Sequence, residues 1–341
     1  MEEVSQLHEW FKNNQRDFPW RINKNPYRVL VSEIMLQQTR AHVVIPYFEK
    51  WMVLFPTVNA LAEASLDQVI KAWEGLGYYS RARRLHAAAL YIVQECGGSL
   101  PETKEELAKI PGLGPYTVGA VLSFAFQKRA AAVDGNVARV LARFFLIEES
   151  VQKASVKKKL ENLAENFLDE HEPWVTAEAL IELGASICSR KPKCEICPLQ
   201  TRCLAHQTGK AEYLPLQPPL SSVTALFRSV FVIQAEGAVL VKKETAGRLM
   251  ADLYEFPYVE KGREPELLRP FLPLVKHAFT RYIAHLSPYS FSFARQSEGI
   301  SFLRQCGIVS LKGYVWVELS CLKLLPFSAG HRKILHDWMG A

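Results

Sequence analysis

The chain has 341 residues, 49% of them hydrophobic, and its 41 Lys and Arg against 35 Asp and Glu leave a net charge of +6. That length supports about two domains with ample core, and the mild positive balance permits a polyanionic partner without requiring one. The opening MEEVSQLHEW has no apolar core behind a basic start, and no apolar run approaches the ~18 residues of a membrane span. A soluble, intracellular, cytoplasmic protein with no membrane contact is expected, in which clustered cysteines point to metal ligation rather than to disulfides.

Up to about residue 205 apolar residues recur at helical spacing, as in Leu85, Ala88, Ala89 and Ile92 and again in Val118, Val121, Leu122 and Ala125, so this part is expected to be nearly all helix. Asn25-Pro26 reads as N-cap and first position of a helix running from Tyr27 to Val44. Glu33 lies in its apolar stretch. A glutamate in a helix is ordinarily a surface residue, but a buried carboxyl there has its pKa raised and can act as an acid. GLGYYSRARRL then sets Tyr78 and Tyr79 beside Arg81, Arg83 and Arg84, a mixture that suits a nucleic-acid clamp with stacking. Thr103 and Glu106 form a capping-box pattern.

Pro111-Gly112-Leu113-Gly114-Pro115 separates two helical segments. Glycines at both corners let the backbone turn sharply and present bare N–H groups to a phosphate at the positive end of the following helix. Such a turn is equally consistent with a plain helix connection. Asp134 precedes Gly135-Asn136 and a further helix, the place of an N-cap.

Cys188, Cys194, Cys197 and Cys203 are spaced C-x5-C-x2-C-x5-C. Four thiolates on so short a loop can close a zinc site or hold a [4Fe–4S] cluster; zinc ribbons pair two short knuckles across a long gap, so the single knuckle here favours one [4Fe–4S] cluster. The interleaved Arg190, Lys191 and Lys193 read as phosphate contacts or as a solvated face. Cys96, Cys306 and Cys321 sit in apolar company and read as core thiols.

Gly209 to Val223 is rich in proline and small polar residues and reads as a linker. Beyond it, β-type runs flank Glu236-Gly237 as a hairpin, YSFSFA and GYVWVEL alternate with period two, and a last helix spans His331 to Met339.

IPGLGPYTVGA, VDGNVARV and the four-cysteine loop together resemble the helix-hairpin-helix DNA glycosylases of the endonuclease III superfamily. FPWR (Phe18 to Arg21), SEIMLQQT (Ser32 to Thr39) and GLGYYSRAR (Gly75 to Arg83) resemble in particular its adenine DNA glycosylases, the MutY family, which act on adenine opposite 8-oxoguanine. The resemblance is dense over residues 7 to 205 and looser beyond. It implies a monofunctional glycosylase of base excision repair that flips adenine out of duplex DNA carrying A:8-oxoguanine or A:G mispairs and hydrolyses its N-glycosidic bond. Glu33 then matches the acid that protonates adenine N7, and Asp134 the carboxylate that steadies the sugar cation, assisted by Asn136 and Tyr116. Tyr116 stands where strand-cutting relatives carry the Schiff-base lysine. Gln38 and Tyr78 match intercalating residues. Thr39 and Leu76 match contacts to 8-oxoguanine. Arg16, Trp20, Arg21, Leu36 and Glu178 match the adenine pocket, and Gly112 and Gly114 the phosphate-binding hairpin.

Two departures stand out. The first cysteine interval is x5 where the family has x6, and Phe279-Thr280-Arg281 occupies the place of the family's Phe-Ser-His lesion-sensing loop, setting a permanent charge where a small neutral donor is usual. DLYEFP and HAFTRY resemble a MutT-like, Nudix-fold domain, although EKGREPELL lacks the paired metal-binding glutamates of Nudix hydrolases, so a reader and not a hydrolase is expected. The implied architecture is multidomain. Residues 1–24 and 133–208 form a helical domain with the cluster loop, 25–132 a six-helix domain with the hairpin, 209–224 a linker and 225–341 an α+β Nudix-like lesion-recognition domain. A monomer on bacterial nucleoid DNA is expected. The competing readings are an endonuclease III-like glycosylase and lyase, disfavoured by Tyr116, and a non-catalytic iron–sulfur DNA-binding protein, disfavoured by the retention of both Glu33 and Asp134.

Overall fold

The structure, a computed structural model, describes residues 2–216, 222–244, 250–260 and 272–340. It divides into two compact units, one of Met1–Ala64 with Arg83–Pro219 and the other of Ser65–Ala82 with Leu220–Ala341.

The first unit is helical. Helices Glu2–Asn14, Gly135–Phe144, Ala154–Phe167 and Pro173–Ser186 enclose a core that includes Leu7, Phe11, Val140, Leu141, Leu160, Leu180 and Leu183. Each such side chain contributes roughly 1.5–3 kcal/mol by leaving water. The helix expected from Tyr27 to Val44 is two helices, Pro26–Leu36 and Ala41–Leu54. Its start is as expected, with the Asn25 side chain accepting the Arg28 N–H at 2.8 Å. Its end is earlier. Gln37-Gln38-Thr39-Arg40 carries no apolar residue to extend the buried stripe, Gln38 turns to φ +58°, and the Thr39 N–H closes on the Leu36 carbonyl.

Between helices Lys104–Leu107 and Pro115–Ala120 runs the predicted glycine turn. Gly112 has φ +86°, and a Cβ there would stand 2.7 Å from the Cβ of Arg84, so only glycine fits. The second helix passes into a π-helical turn at Val121–Ala125. The turn shifts the buried stripe, leaving Ala125 half-buried while Val118, Val121 and Leu122 are in the core. Of the expected capping box only one half forms: Thr103 Oγ1 accepts the Glu106 N–H at 3.3 Å, while Glu106 takes the Thr103 hydroxyl at 2.6 Å rather than its backbone N–H.

The first part of the expected linker packs as core: Ala211 and Leu214 close on Ala205, and the Leu214 carbonyl accepts Arg143 Nε at 2.8 Å. Residues 217–221 of that stretch lie outside the described residues.

Among the described residues, the second unit carries a seven-stranded mixed sheet, β1 (Thr224–Ala235), β2 (Ala238–Lys243), β3 (Tyr254–Glu255), β4 (Tyr258–Glu260), β5 (Val275–Phe279), β6 (Tyr282–Phe293) and β7 (Tyr314–Glu318). The order is β3-β2-β1-β6-β5, with β4 paired to β1 and β7 to β2. β1 and β6 run parallel in continuous register from Thr224↔Tyr282 to Ala235↔Phe293. The predicted hairpin forms at Glu236-Gly237, both in the left-handed region at φ +52° and +74°. β1 is apolar on both faces. Val230 and Val232 pack with Phe256, Phe327 and Ile334 of the C-terminal helix Ala329–Gly340, while Phe231 and Ile233 pack with Tyr289 and with Leu303 of helix Gln296–Gln305. Of the expected core thiols only Cys306 is fully buried; Cys321 is exposed, on a 3-10 turn whose buried position is taken by Leu322. Most of EKGREPELL lies outside the described residues.

Candidate active site

Glu33 is 6% exposed, on the face of helix Pro26–Leu36 that the apolar neighbours Leu30, Ile34 and Met35 carry inward. Its Oε2 accepts the Tyr116 hydroxyl at 2.5 Å. Burial pushes its pKa up to about 7, and the nearby Asp134 and Glu178 add to the rise, while the Tyr116 bond and the charge of Arg21 oppose it. Tyr116 is itself driven far above its usual range by burial and by Glu33. It therefore stays a neutral donor. Its place in the first turn after Gly114, held by Pro115 at the helix start, points it at the carboxyl from the opposite side.

Asp134 is the N-cap of helix Gly135–Phe144, accepting the N–H groups of Asn136 and Val137 at 2.8 Å each, and the Asn136 side-chain amide at 2.7 Å. Burial raises its pKa, and the three hydrogen bonds pull it back. The capping that the sequence suggests and a charged site are therefore one arrangement. Asn136 accepts Arg139 Nη2 at 3.0 Å, and the same guanidinium donates to the carbonyls of Gly184 at 2.8 Å and Cys188 at 2.7 Å. Gly184 leaves the room required, because a Cβ there would meet that of Asn136 at 2.7 Å.

Glu33, Asp134 and Tyr116 face one open cleft of about 1360 Å³ within the first unit. Arg16, Trp20, Arg21, Leu36 and Glu178 line it, as do Gln38, Thr39, Gly112, Gly114 and Asn136. Trp20 and Phe18, both lining the cleft, stack at 4.8 Å, and Trp20 meets the buried Phe48 edge-on. Arg40, Arg84 and Arg190 add positive charge to the lining.

Among the lining residues that escaped the sequence reading, three make ion pairs or hydrogen bonds that tie the site together. Lys24 pairs with Glu178 at 2.9 Å, Arg139 joins Asn136 to the cysteine loop, and Glu182, only 1% exposed, accepts both Arg16 Nε and Arg21 Nη2. The signal was present. Glu182 follows Glu178 by one helical turn, and Arg139 follows Asn136 by three residues, spacings that place each pair on one helix face.

The remaining predicted contacts lie in the second unit. Leu76 is buried and Tyr78 about half exposed on a turn braced by Trp73 Nε1, which donates to the Gly77 carbonyl at 3.0 Å, and by Arg81, which donates to the carbonyls of Leu76 and Gly77. Phe279, Thr280 and Arg281 form the tip between β5 and β6, with the Arg281 guanidinium 5.2 Å from the Tyr282 ring centroid. Gln38, Tyr78 and Thr280 all hold left-handed φ, at +58°, +49° and +48°. Side chains other than glycine take that conformation at a cost, and such positions concentrate at functional sites.

The cysteine loop runs from Cys188 to Cys203, and the burial that raises Cys194, Cys197 and Cys203, the middle one to about 12, is reinforced by the neighbouring thiols. Arg143 Nη1 donates to Cys188 Sγ at 3.3 Å and Nη1 and Nη2 to the carbonyls of Ser189 and Arg190, so a buried cation sits against the sulfurs. Mutually close thiols that resist ionisation alone suit a polycationic iron core, and a charged donor to sulfur suits its net negative thiolate shell. Among the described residues no three His, Cys, Asp or Glu side chains are gathered as a metal-ion group. Of the basic residues in the loop, Arg202 is paired with Glu2 and Glu3 and not free for a phosphate.

The profile of the HhH-GPD superfamily of base excision DNA repair proteins matches residues 31–166, and that of the iron-sulfur binding domain of endonuclease III matches residues 189–203. The adenine DNA glycosylase of Buchnera aphidicola subsp. Acyrthosiphon pisum is 34% identical over 296 residues, covering 83% of this chain and 84% of the relative. The adenine DNA glycosylase of Homo sapiens is 42% identical over 225 residues, 63% of this chain and 41% of the relative. Among solved structures, a thermostable thymine-DNA glycosylase superposes with TM-score 0.55 at 30% identity, covering 60% of this chain and 95% of that one. A trapped endonuclease III–DNA covalent intermediate, at 22% identity and TM-score 0.53 over 60% of this chain and 94% of that one, shares the fold. With the superfamily profile over its helical region, the endonuclease III iron–sulfur profile over its cysteine loop and 34% identity to a curated adenine DNA glycosylase over 83% of its length, the chain belongs to the adenine DNA glycosylase family of base-excision repair enzymes.

Proposed function

We propose that this enzyme removes adenine from A:8-oxoguanine mispairs, and more slowly from A:G, in double-stranded DNA, and that it acts as a monomer in the bacterial cytoplasm, on the nucleoid. The observation that carries the reading is Glu33, a carboxyl that burial holds near pKa 7 in the cleft that Asp134 shares, with a tyrosine and not an amine against it. A leaving adenine needs a proton, and the sugar it leaves develops an oxocarbenium-like cation. Glu33 protonates N7 and later activates water, Asp134 steadies the cation, and Tyr116 and Asn136 hold the two carboxylates in place. With no lysine at position 116 there is no Schiff base, and the product is an intact strand bearing an abasic site.

The adenine is received by Trp20, Leu36, Arg16, Arg21 and Glu178. Gln38 and Tyr78 fill the gap it leaves, and Thr39 and Leu76 meet the opposite base. Gly112 and Gly114 take the backbone phosphate. Cys188, Cys194, Cys197 and Cys203 hold one [4Fe–4S] cluster, which stiffens the loop that presents Arg190 to the cleft. Residues 225–341, with Phe279, Thr280 and Arg281 at the tip between β5 and β6, are a Nudix-like reader of the oxidised base that follows a helical domain (1–24 and 133–208), a six-helix domain (25–132) and a linker (209–224). Single-turnover adenine release from duplexes carrying A:8-oxoguanine, A:G and A:T tests this. Release ordered in that sequence, and abolished by Glu33→Gln, is expected; no release from any of them overturns it.

A further inference from the structure

Two carboxylates one turn apart on helix Pro173–Ser186 face the cleft, and together they engage every cation of the segment from Arg16 to Lys24. Glu178 takes the Lys24 ammonium through both oxygens, at 2.9 and 3.0 Å. Glu182 divides its oxygens. Oε1 accepts Arg16 Nε, and Oε2 accepts Arg21 Nη2 at 2.9 Å. The Glu182 side chain is 1% exposed, that of Arg21 15% and that of Arg16 47%, so the carboxylate is a buried anchor under two guanidiniums that reach outward.

The two arginines in turn hold the aromatic pair. Both guanidiniums lie over the Phe18 ring, at 5.0 and 5.1 Å from its centroid, and Phe18 carries Trp20 stacked upon it. Arg21 Nη1 also donates to the Arg16 carbonyl at 2.7 Å, closing the loop on itself. A carboxylate removed from this centre leaves two cations without their buried partner, which costs more than the pair contributes by itself.

We infer that Glu182 is a positioning residue of this active site, fixing Arg16 and Arg21 along one wall of the cleft and, through Phe18, the Trp20 surface on which a flipped base rests. It also cancels charge. The groups that act on Glu33 are Tyr116, Asp134, Glu178 and Arg21, and Arg21 is the cation among them. With Glu182 neutral, Arg21 acts on Glu33 undiminished and draws its proton off at lower pH.

The inference rests on the adenine-glycosylase reading for its kinetic consequence but not for its titration, so the test has two arms, both on the full chain with its iron. In the first, the Glu33 carboxyl is titrated by carbon-13 NMR in the wild type, Glu182→Gln and Glu182→Asp. The midpoint moves down in Glu182→Gln and returns toward the wild-type position in Glu182→Asp, which restores the charge. In the second, the single-turnover rate of adenine release from an A:8-oxoguanine duplex is followed from pH 5 to pH 9. The deficit of Glu182→Gln widens as pH rises, by about tenfold for each unit that the midpoint has moved. A midpoint unchanged in Glu182→Gln overturns the inference, and so does a deficit equal at every pH, since lost packing alone has no pH dependence. Should Glu182→Gln not fold, Glu182→Asp against Arg21→Gln carries the same titration, with a higher midpoint expected in the latter and an unmoved one decisive against. A wild type that titrates as expected and releases no adenine contradicts the proposed activity and leaves the positioning role standing.

Discussion

The surroundings of Glu33, burial foremost, hold its pKa at about 7 against an ordinary value of 4.5. In the proposed mechanism the protonated form is the working acid, so release of adenine is expected to fall by about tenfold per pH unit above that value, read in single-turnover rates. The same shift is a statement about stability. Between 4.5 and about 7 the folded protein holds a proton that the unfolded chain has lost, so this group's contribution is complete below 4.5 and disappears as pH rises through 7. Glu33→Gln carries no such dependence. Its Tm is expected to rise relative to wild type as pH goes from 5 to 8, a margin that calorimetry at the two ends measures. Much of this residue was legible beforehand. Its apolar neighbours Leu30, Ile34 and Met35 suggest burial, but the Tyr116 hydroxyl comes from 83 positions away, a distance at which no local pattern reports.

At the scale of elements, glycine placement carries the hairpin. Gly112→Ala sets a side chain into a left-handed backbone and against Arg84, so a loss of about 1–3 kcal/mol is expected in denaturant melts, with weaker duplex binding. The Ser65–Ala82 segment shows a second device. Glu74 accepts Lys71 Nζ at 3.0 Å, the Phe327 N–H at 3.2 Å and the Arg332 guanidinium, while Lys71 Nζ reaches the carbonyls of Lys323 and Leu325. This clamp ties the turn that carries Leu76 and Tyr78 to the C-terminal helix. Glu74→Ala is expected to speed amide hydrogen exchange across residues 73 to 82, and unchanged exchange would remove the clamp from the account. Helix starts were readable from Asn25-Pro26 and Thr103, where the capping chemistry is local. The break at Gln37 to Arg40 was not, because a short polar stretch between two apolar helices continues a helix or ends it according to what packs on either side.

For the whole molecule, the cysteine loop is the nearest thing to a staple. Arg143 joins it to the Leu214 carbonyl, and Arg139 joins it to Asn136 and so to Asp134. Cys197→Ser is expected to lower the iron content per chain, to bleach the visible absorbance and to reduce Tm, each kcal/mol lost appearing as about 2–4 °C. Full iron in that variant would exclude Cys197 as a ligand. Among the described residues no helix is long and apolar enough to cross a membrane.

The sequence by itself determined the helical and sheet-forming halves, the hairpin glycines and the cysteine loop, because periodicity, turn chemistry and ligand spacing are properties of neighbouring residues, whereas Glu33 and Asp134 were singled out only by resemblance to the glycosylase family. The tertiary structure alone decided that Glu182 serves two arginines 166 and 161 positions away, and that residues 65 to 82 group with the C-terminal sheet. It alone decided too that burial lifts one carboxyl to about 7 while three hydrogen bonds restrain the other. Desolvation and pairing depend on which distant segments meet, and a linear pattern carries no measure of that.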